Sequence, residues 1–245
     1  MQFLNLETGV RFAMGKVDSR RVVHPDMGAK QLTLNYSLSQ RGMEFPQHTH
    51  DDSEDLFLVL EGGVDVRQGE TYSPLYAGEA AFIPGGEVHG TITTSHFAAL
   101  ISFQSPPDMK LYSGDRDASK QSAAPVPAEG HVSGVQLVDR KRTSPVFRSP
   151  GVWRSVSSAA KGAKHLGVEF VCLNGDDTVD LPPAVGEEVW VVLRGQVAAT
   201  GDNEQKALEV KDVVFLQRGD SLELACRGAD RAEVVRCRAL AVGER

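Results

Sequence analysis

The sequence predicts an all-β protein built from two tandem barrels. Short runs rich in β-branched and aromatic residues, such as QLTLNYSL (31–38) and VWVVL (189–193), are bounded by Gly, Pro, Asp or Ser. Helical periodicity is scarce, and short strands separated by turn residues at regular spacing are typical of barrels and sandwiches. The chain also repeats itself at a constant spacing, which indicates two related units.

Three separate segments carry this repeat. They recur 133 residues later in the chain: EDLFLVLEG (54–62) as EEVWVVLRG (187–195), GEAAFIPGG (78–86) as KDVVFLQRG (211–219), and Gly42 as Gly175. One spacing across three segments means that the two copies agree there without an insertion or deletion. We therefore predict two homologous β-barrel domains.

Composition sets the predicted domain boundaries. Residues 113–130 read SGDRDASKQSAAPVPAEG, a mixture of Ser, Ala, Pro, Gly and charged residues that is typical of a linker. We predict a first barrel over residues 1–112, a connector over 113–145 and a second barrel over 146–245. The basic cluster RKR at 140–142 falls in the connector, where we interpret it as solvated.

Overall composition argues against several classes of protein. The 245 residues are 41% hydrophobic and 24% charged, with a net charge of -7, and an acidic chain is a poor match to nucleic acid. The sequence shows neither an apolar run of the roughly 18 residues that span a membrane nor a secretory signal pattern. Three cysteines without CxxC spacing favour the thiols of a cytoplasmic protein over a disulfide framework.

The candidate metal ligands begin in the stretch QHTHDDSED at residues 47–55. His48 and His50 are two residues apart, and such side chains point to the same face of a strand. If that face lines the barrel interior, a carboxylate on the next strand and His89 on a later one can close around a cation. Imidazole together with carboxylate suits Fe, Mn, Ni or Zn.

These residues resemble the two motifs of the cupin superfamily, G-x5-H-x-H-x(3,4)-E-x6-G and G-x5-P-x-G-x2-H-x3-N. The resemblance covers residues 42–62 and 78–89, and Thr93 stands where the second motif ends in Asn. It implies two antiparallel jelly-roll barrels in tandem. It also implies that the first barrel holds a divalent transition metal on three histidines, His48, His50 and His89, and one acid.

The acid of this predicted site has two candidates. Counting forward from His50 allows Glu54 or Asp55, and the period of a strand lets only one of them point inward. Six residues separate Asp55 from Gly62, as the motif requires, and Asp55 matches Glu188 in the repeat. We favour Asp55 and keep Glu54 as the alternative, expecting Glu54 to face solvent if it is not the ligand.

Pocket residues follow less directly from the sequence. Phe57 and Val59 are in register with Asp55 along one strand, so we expect them inside the barrel beside the metal. Tyr36 and Gln47 are two further candidates for contacts with a substrate.

The second half does not repeat the ligands. At the 133-residue spacing the three histidines correspond to non-ligating residues, namely Leu181, Pro183 and Leu222. Glu188 alone cannot hold a transition metal. We therefore predict a degenerate C-terminal barrel kept for packing, for dimer-like stability or for closing the pocket.

Together these features predict a metal-dependent enzyme that acts on a small organic substrate at the N-terminal barrel. Its reaction would be of the dioxygenase, isomerase or lyase type, because an ion on three histidines with open positions supports Lewis-acid or oxygen chemistry. The alternative is a non-catalytic module that binds a sugar or carboxylate for regulation. We expect a small-molecule partner, no nucleic acid and no membrane, a cytoplasmic location, and a homodimer as one option for assembly.

Overall fold

The chain forms antiparallel β-sheets in both halves. A computed structural model describes residues 1–113, 125–148, 150–201, 204–228 and 231–240. Its strands up to residue 105 are β1 (Gln2–Asn5), β2 (Val10–Met14), β3 (Val17–Val23), β4 (Thr33–Gln40), β5 (Glu44–His48), β6 (Glu54–Glu61), β7 (Gly63–Gln68), β8 (Thr71–Tyr76), β9 (Glu79–Ile83), β10 (His89–Thr93) and β11 (Phe97–Ser105).

The later strands repeat the order of the earlier ones. They are β12 (Gln136–Asp139), β13 (Val146–Phe147), β14 (Val152–Ser157), β15 (Leu166–Leu173), β16 (Thr178–Leu181), β17 (Glu188–Arg194), β18 (Val197–Thr200), β19 (Gln205–Leu208), β20 (Asp212–Leu216), β21 (Leu222–Cys226) and β22 (Ala232–Ala239). This pattern confirms the all-β prediction.

Helices are short and few in the described ranges. The α-helix α1 spans Met109–Ser113, and 3-10 helices span Leu6–Thr8, Pro25–Met27 and Ala159–Lys161. None of the helices that the structure describes has the length and hydrophobicity that crossing a bilayer requires.

Each half is a jelly-roll barrel made of one large and one small sheet. In the first half, the seven-stranded sheet has the order β12-β9-β6-β11-β4-β3-β2 and faces the four-stranded sheet β5-β10-β7-β8. In the second half, the corresponding orders are β1-β20-β17-β22-β15-β14-β13 and β16-β21-β18-β19. The prediction of two tandem antiparallel jelly rolls is confirmed.

The two large sheets exchange their edge strands. Strand β1, at the start of the chain, pairs with β20 of the second barrel. Strand β12, within the predicted connector, pairs with β9 of the first barrel. Residues 136–139 of the predicted connector therefore complete a sheet of the first barrel, and residues 114–124 lie outside the described residues.

Three apolar clusters hold the fold together. One fills the first barrel and contains Phe57 and Val59, and a second fills the second barrel and contains Trp153 and Trp190. The third lies between the two seven-stranded sheets and draws residues from both halves, with Tyr36 among them. The large sheets therefore pack face to face, and each barrel has its own interior on the opposite side.

Two buried glutamates fasten the barrels to each other. The Glu54 carboxylate of the first barrel accepts the backbone N–H groups of residues 164–166, at 2.7 to 3.0 Å. The Glu187 carboxylate of the second barrel accepts those of residues 30–32, at 2.7 to 2.9 Å. Glu54 and Glu187 are 133 residues apart in the repeat. The same reciprocal contact is therefore made twice, once from each side of the junction.

Candidate metal centre

Four buried side chains converge inside the first barrel. His48 ends β5, His50 follows it, Asp55 lies near the start of β6, and His89 begins β10 directly opposite His48. One ligand atom from each of these residues lies within 4.8 Å of the other three. The sequence-predicted set of His48, His50, Asp55 and His89 is thus brought together.

Each imidazole is held through its Nδ1 atom. Nδ1–H of His48 donates to the Pro46 carbonyl at 2.9 Å, and Nδ1–H of His89 donates to the Glu87 carbonyl at 2.9 Å. His50 Nδ1 lies 2.6 Å from a carboxylate oxygen of Asp108. Because carbonyl and carboxylate oxygens only accept, these contacts place a proton on Nδ1 and turn the Nε2 atoms toward the centre.

The Nε2 atoms and the carboxylate face one another closely. His48 Nε2 and His50 Nε2 are 3.1 Å apart, and Asp55 Oδ2 lies 3.1 Å from His50 Nε2 and 3.5 Å from His89 Nε2. His89 Nε2 and Asp55 Oδ1 are buried without a hydrogen-bond partner. Neighbouring ligands on an ion with bonds of about 2.1 Å lie about 3 Å apart. The donor set and its spacing therefore fit a divalent metal.

The electrostatics of the cluster suit cation binding. Burial and the neighbouring His89 and His50 hold the pKa of His48 well below its ordinary value, so its imidazole is a neutral donor. Burial lowers the pKa of His50, but hydrogen bonds with Asp108 and Asp55 outweigh it and raise the pKa to about 9. Burial raises the pKa of Asp55, but its hydrogen bond with His50 and the nearby His89 imidazole outweigh burial and hold the pKa below the ordinary range. Positive charge is therefore favoured between two carboxylates.

The choice between the two acids is visible in the side-chain directions. Asp55 points into the cluster, whereas the carboxylate of Glu54, the next residue toward the N-terminus, reaches the backbone of the second barrel. Adjacent residues of a strand point to opposite faces, which explains the separation. The expectation that Glu54 faces solvent is wrong, because the residue is only 2% exposed.

A small cavity of about 30 Å³ adjoins the cluster, roughly the volume of one water molecule. Its walls are mixed polar and apolar, and its lining residues are Phe12, Val17, Asn35, Ser37, Ser39, Phe45, His48, Asp55, Phe57, Thr91, Leu100, Ser102, Gln104 and Leu111. A larger cavity of about 620 Å³ lies between the two large sheets, and no member of the cluster lines it. The smaller cavity is therefore the one beside the four-residue cluster.

One of the four predicted pocket residues reaches this cavity. Phe57 lines it, with its ring 5.6 Å from that of His89. Val59 lies in the core of the first barrel, farther along β6. Gln47 accepts the backbone N–H of Gly69. Tyr36 is corrected most clearly, because it faces the junction between the barrels and lines the larger cavity there.

The strand that carries Tyr36 contributes different residues to the pocket. In β4, Asn35, Ser37 and Ser39 line the cavity, while Leu34 and Tyr36 lie on the opposite face. The signal was present in the alternation of TLNYSLSQ, where every second residue is small and polar. A strand with an apolar outer face and a polar inner face indicates a solvated or ligand-binding interior.

Two residues that contact His50 were not predicted from the sequence. Asp108, 8% exposed, contacts His50 Nδ1, and Gln104 Nε2 lies 3.1 Å from His50 Nε2. Gln104 is paired with Asp55 across β11 and β6, so knowledge of the strand register would have placed it at the site. Asp108 belongs to no motif and follows two prolines, so no spacing indicated it.

The second barrel places different chemistry at the matching positions. Glu188, the counterpart of Asp55, forms a two-point ion pair with Arg236 at 2.9 and 2.6 Å and accepts Trp190 Nε1–H at 3.3 Å. Trp190 and Trp153 meet edge to face inside this barrel, 6.3 Å between ring centroids. Their counterparts in the strand registers of the first barrel are Phe57 and Ser19.

Comparison with known proteins agrees with the geometry. Residues 36–102 match the family described as the cupin domain. No curated protein matches the chain in sequence. The family match and the structural similarities below support the cupin superfamily, and the buried cluster supports a divalent metal.

Several solved structures share the fold across both barrels. Protein Ylba from E. coli is 12% identical with a TM-score of 0.75, covering 99% of this chain and 90% of that chain. A mutant of Bacillus subtilis oxalate decarboxylase is 10% identical with a TM-score of 0.72, and the match covers 97% of this chain and 77% of that chain. A structure from work on the Mn(II) centres of that decarboxylase is 11% identical with a TM-score of 0.72, and the match covers 97% of this chain and 77% of that chain. At these identities the similarity shows the fold alone.

Proposed function

We propose that the chain is a metal-dependent cupin enzyme acting on a small organic substrate in its N-terminal barrel, by dioxygenase, isomerase or lyase chemistry. The observation that carries this proposal is the convergence of three Nδ1-anchored histidines and Asp55 within 4.8 Å. The metal ligands proposed are His48, His50, Asp55 and His89. Iron, manganese, nickel and zinc all suit this donor set.

The metal, when bound, would act as a Lewis acid toward a substrate oxygen or support oxygen chemistry. The protein contributes a small cavity beside it, with polar and apolar walls. Asn35, Ser37 and Ser39 offer hydrogen-bonding groups from β4, while the buried side chains of Phe57 and Leu111 add apolar surface. Such a wall orients a small polar molecule by a few directed contacts against an apolar surround.

Charge at the site narrows the class of substrate. Asp55 and Asp108 are both buried, and their two negative charges balance a divalent ion. The cavity-lining residues in the described part of the chain include neither Lys nor Arg. A neutral polar molecule or a monoanionic carboxylate therefore suits this site better than a polyanion, which would add uncompensated buried charge.

We also propose a bicupin organisation with one working site. The barrels would comprise residues 1–112 and 146–245, joined by 113–145, with β1 and β12 exchanged as described. The second barrel would be a degenerate copy, since Glu188 is engaged by Arg236 and two tryptophans fill the interior. Its contacts through Glu187 support the role of a packing partner.

One observation favours a non-catalytic binding module as the second candidate. Among the described residues that line the small cavity, His48 and Asp55 are the titratable ones, and both are proposed ligands. A site that supplies no further group for proton transfer is also suited to binding a sugar or carboxylate. In that case, the ligand would bind to the metal-loaded protein without being converted.

A single series of measurements separates these candidates. Protein loaded in turn with Fe²⁺, Mn²⁺, Ni²⁺ and Zn²⁺ would be tested for oxygen consumption and product formation with a panel of small carboxylic acids and sugars. His89→Ala is the test variant, and His96→Ala, an exposed histidine outside the cluster, is the matched control. Turnover that requires His89 but not His96 supports the enzyme. Saturable, His89-dependent binding without turnover across the panel favours the binding module.

A further inference from the structure

Among the three cluster histidines, His50 has a different kind of anchor. His48 and His89 donate to backbone carbonyls two residues earlier in their own segments. His50 instead contacts the side chain of Asp108, 58 residues later in the chain. The orientation of one ligand therefore depends on a segment that lies beyond the last strand of the first barrel.

Hydrogen bonds with residues on either side of it in the chain fix the position of Asp108. Its backbone N–H donates to Gln104 Oε1 at 2.8 Å, which ties it to the end of β11. Its second carboxylate oxygen accepts the N–H of Lys110 at 2.9 Å, within the first turn of α1. One carboxylate oxygen of Asp108 thus accepts a hydrogen bond from α1, while the other contacts His50.

The same segment covers the cavity. Leu111 of α1 is 7% exposed and lines the cavity beside the cluster, and its N–H donates to the carbonyl of Asp108 at 3.0 Å. With α1 in this position, the space beside the ligands holds about one water molecule. Widening the cavity at Leu111 would require residues 106–113 to move, and such a movement would separate Asp108 from His50.

We propose that Asp108 is a positioning residue that couples metal binding at His50 to closure of residues 106–113 over the cavity. The carboxylate fixes the Nδ1–H form of His50 and strengthens it as a donor, as partners behind a ligating imidazole do. By linkage, the metal stabilises the closed segment as much as the closed segment stabilises the metal. The inference rests on the proposed metal-binding function.

Metal affinity gives the first test. Co²⁺ binding by titration calorimetry, with the visible spectrum of the bound ion as a second readout, would be compared in the whole chain and its variants. Asp108→Ala is expected to weaken binding about 10- to 100-fold. Asp108→Asn retains an acceptor for Nδ1–H without the charge, so we expect a smaller loss. Lys110→Ala, which removes an exposed ion pair with Asp51, is the control and should bind like the wild type.

Hydrogen exchange gives the second test. A purely structural role of Asp108 would not make the effect of Co²⁺ on exchange depend on this residue. Co²⁺ is expected to slow exchange of the amides at residues 109–113 in the wild type and in Lys110→Ala, but not in Asp108→Ala or Asp108→Asn. If wild-type protein binds no metal, the proposed function itself fails. If the wild type binds metal while both Asp108 variants match it in affinity and in exchange, only the coupling is overturned.

Discussion

The interiors of the two barrels show what the same architecture does with different side chains. The first barrel surrounds its cluster with Asn35, Ser37 and Ser39, and one carboxylate oxygen of Asp55 has no hydrogen-bond partner. In the second barrel, both oxygens of Glu188 are bound by Arg236 and the interior is apolar. Similar strand registers therefore support either a ligand-ready centre or a filled core.

An acid at the matching position of the second barrel therefore does not by itself make a metal site there. Asp55 and Glu188 occupy matching positions on β6 and β17. Only Asp55 has histidine neighbours and an unsatisfied oxygen, and an unsatisfied buried oxygen is costly unless a cation or a proton compensates it. Glu188 has been satisfied within the protein. We interpret the first barrel as the half that carries chemistry and the second as its support.

The largest expected effect comes from neutralising the acid in each barrel in turn. Asp55→Asn should weaken metal binding by more than about 100-fold, because it replaces a charged ligand with an amide. Glu188→Gln should leave metal affinity unchanged and lower stability by about 2 kcal/mol, since Arg236 loses its two-point partner. Calorimetric titration measures the metal affinity of each variant, and thermal unfolding measures its stability. Equal loss of metal in the two variants would contradict the comparison.

The next effect concerns the filled interior of the second barrel. Trp190→Ala should destabilise the protein by about 3–5 kcal/mol, because it removes a large ring that is 2% exposed and opens a cavity. Denaturant unfolding measures this loss, and metal content of the folded protein should stay unchanged. Trp190→Phe keeps an aromatic ring and should cost less. A Trp190→Ala protein of wild-type stability would show that this interior is not tightly packed.

A smaller effect is expected at the junction, where the barrels are alike. Glu54→Ala strands three backbone N–H groups of residues 164–166 and should cost about 3 kcal/mol, with metal binding retained. Glu187→Ala should cost a similar amount for the matching reason. Thermal unfolding compares the pair, and metal titration separates Glu54 from Asp55. Loss of metal in Glu54→Ala at full stability would make Glu54 the ligand after all.

The smallest effect lies at a backbone position where the barrels differ. Gly78 has φ +88°, and Lys211, its counterpart in the repeat, has φ +78° although it carries a side chain. A left-handed conformation costs a non-glycine residue about 1 kcal/mol. Lys211→Gly should therefore raise the melting temperature by about 1–3 °C. A lower melting temperature would indicate that the Lys211 contact with Glu7 contributes more than the backbone strain costs.

Much of the fold could be predicted from the sequence, because the patterns that indicate it are local or repeated. Short apolar runs such as EDLFLVLEG predicted strands, and the 133-residue repeat predicted two barrels. The exchange of β1 and β12 was not predictable, because edge pairing depends on where the two barrels dock. The boundaries drawn from composition accordingly placed residues 136–139 in a connector, although they pair with β9.

The cluster was predictable for a different reason than its surroundings. His48, His50, Asp55 and His89 follow motif spacing, and the structure brings all four together. Asp108 reaches His50 through the path of the chain after β11, which no spacing in the sequence specifies. Cluster residues that follow motif spacing are thus easier to predict than the contacts that orient them from a later segment.

The most direct test of the account is the number of metal ions per chain and the barrel that holds them. Elemental analysis after reconstitution with Mn²⁺, Fe²⁺ or Zn²⁺ and removal of loosely bound ion should give one ion per wild-type chain. The same measurement on the double variant His48→Ala with His89→Ala should give none. Two ions per wild-type chain, or one ion that persists in the double variant, would contradict the assignment of the metal centre to the first barrel.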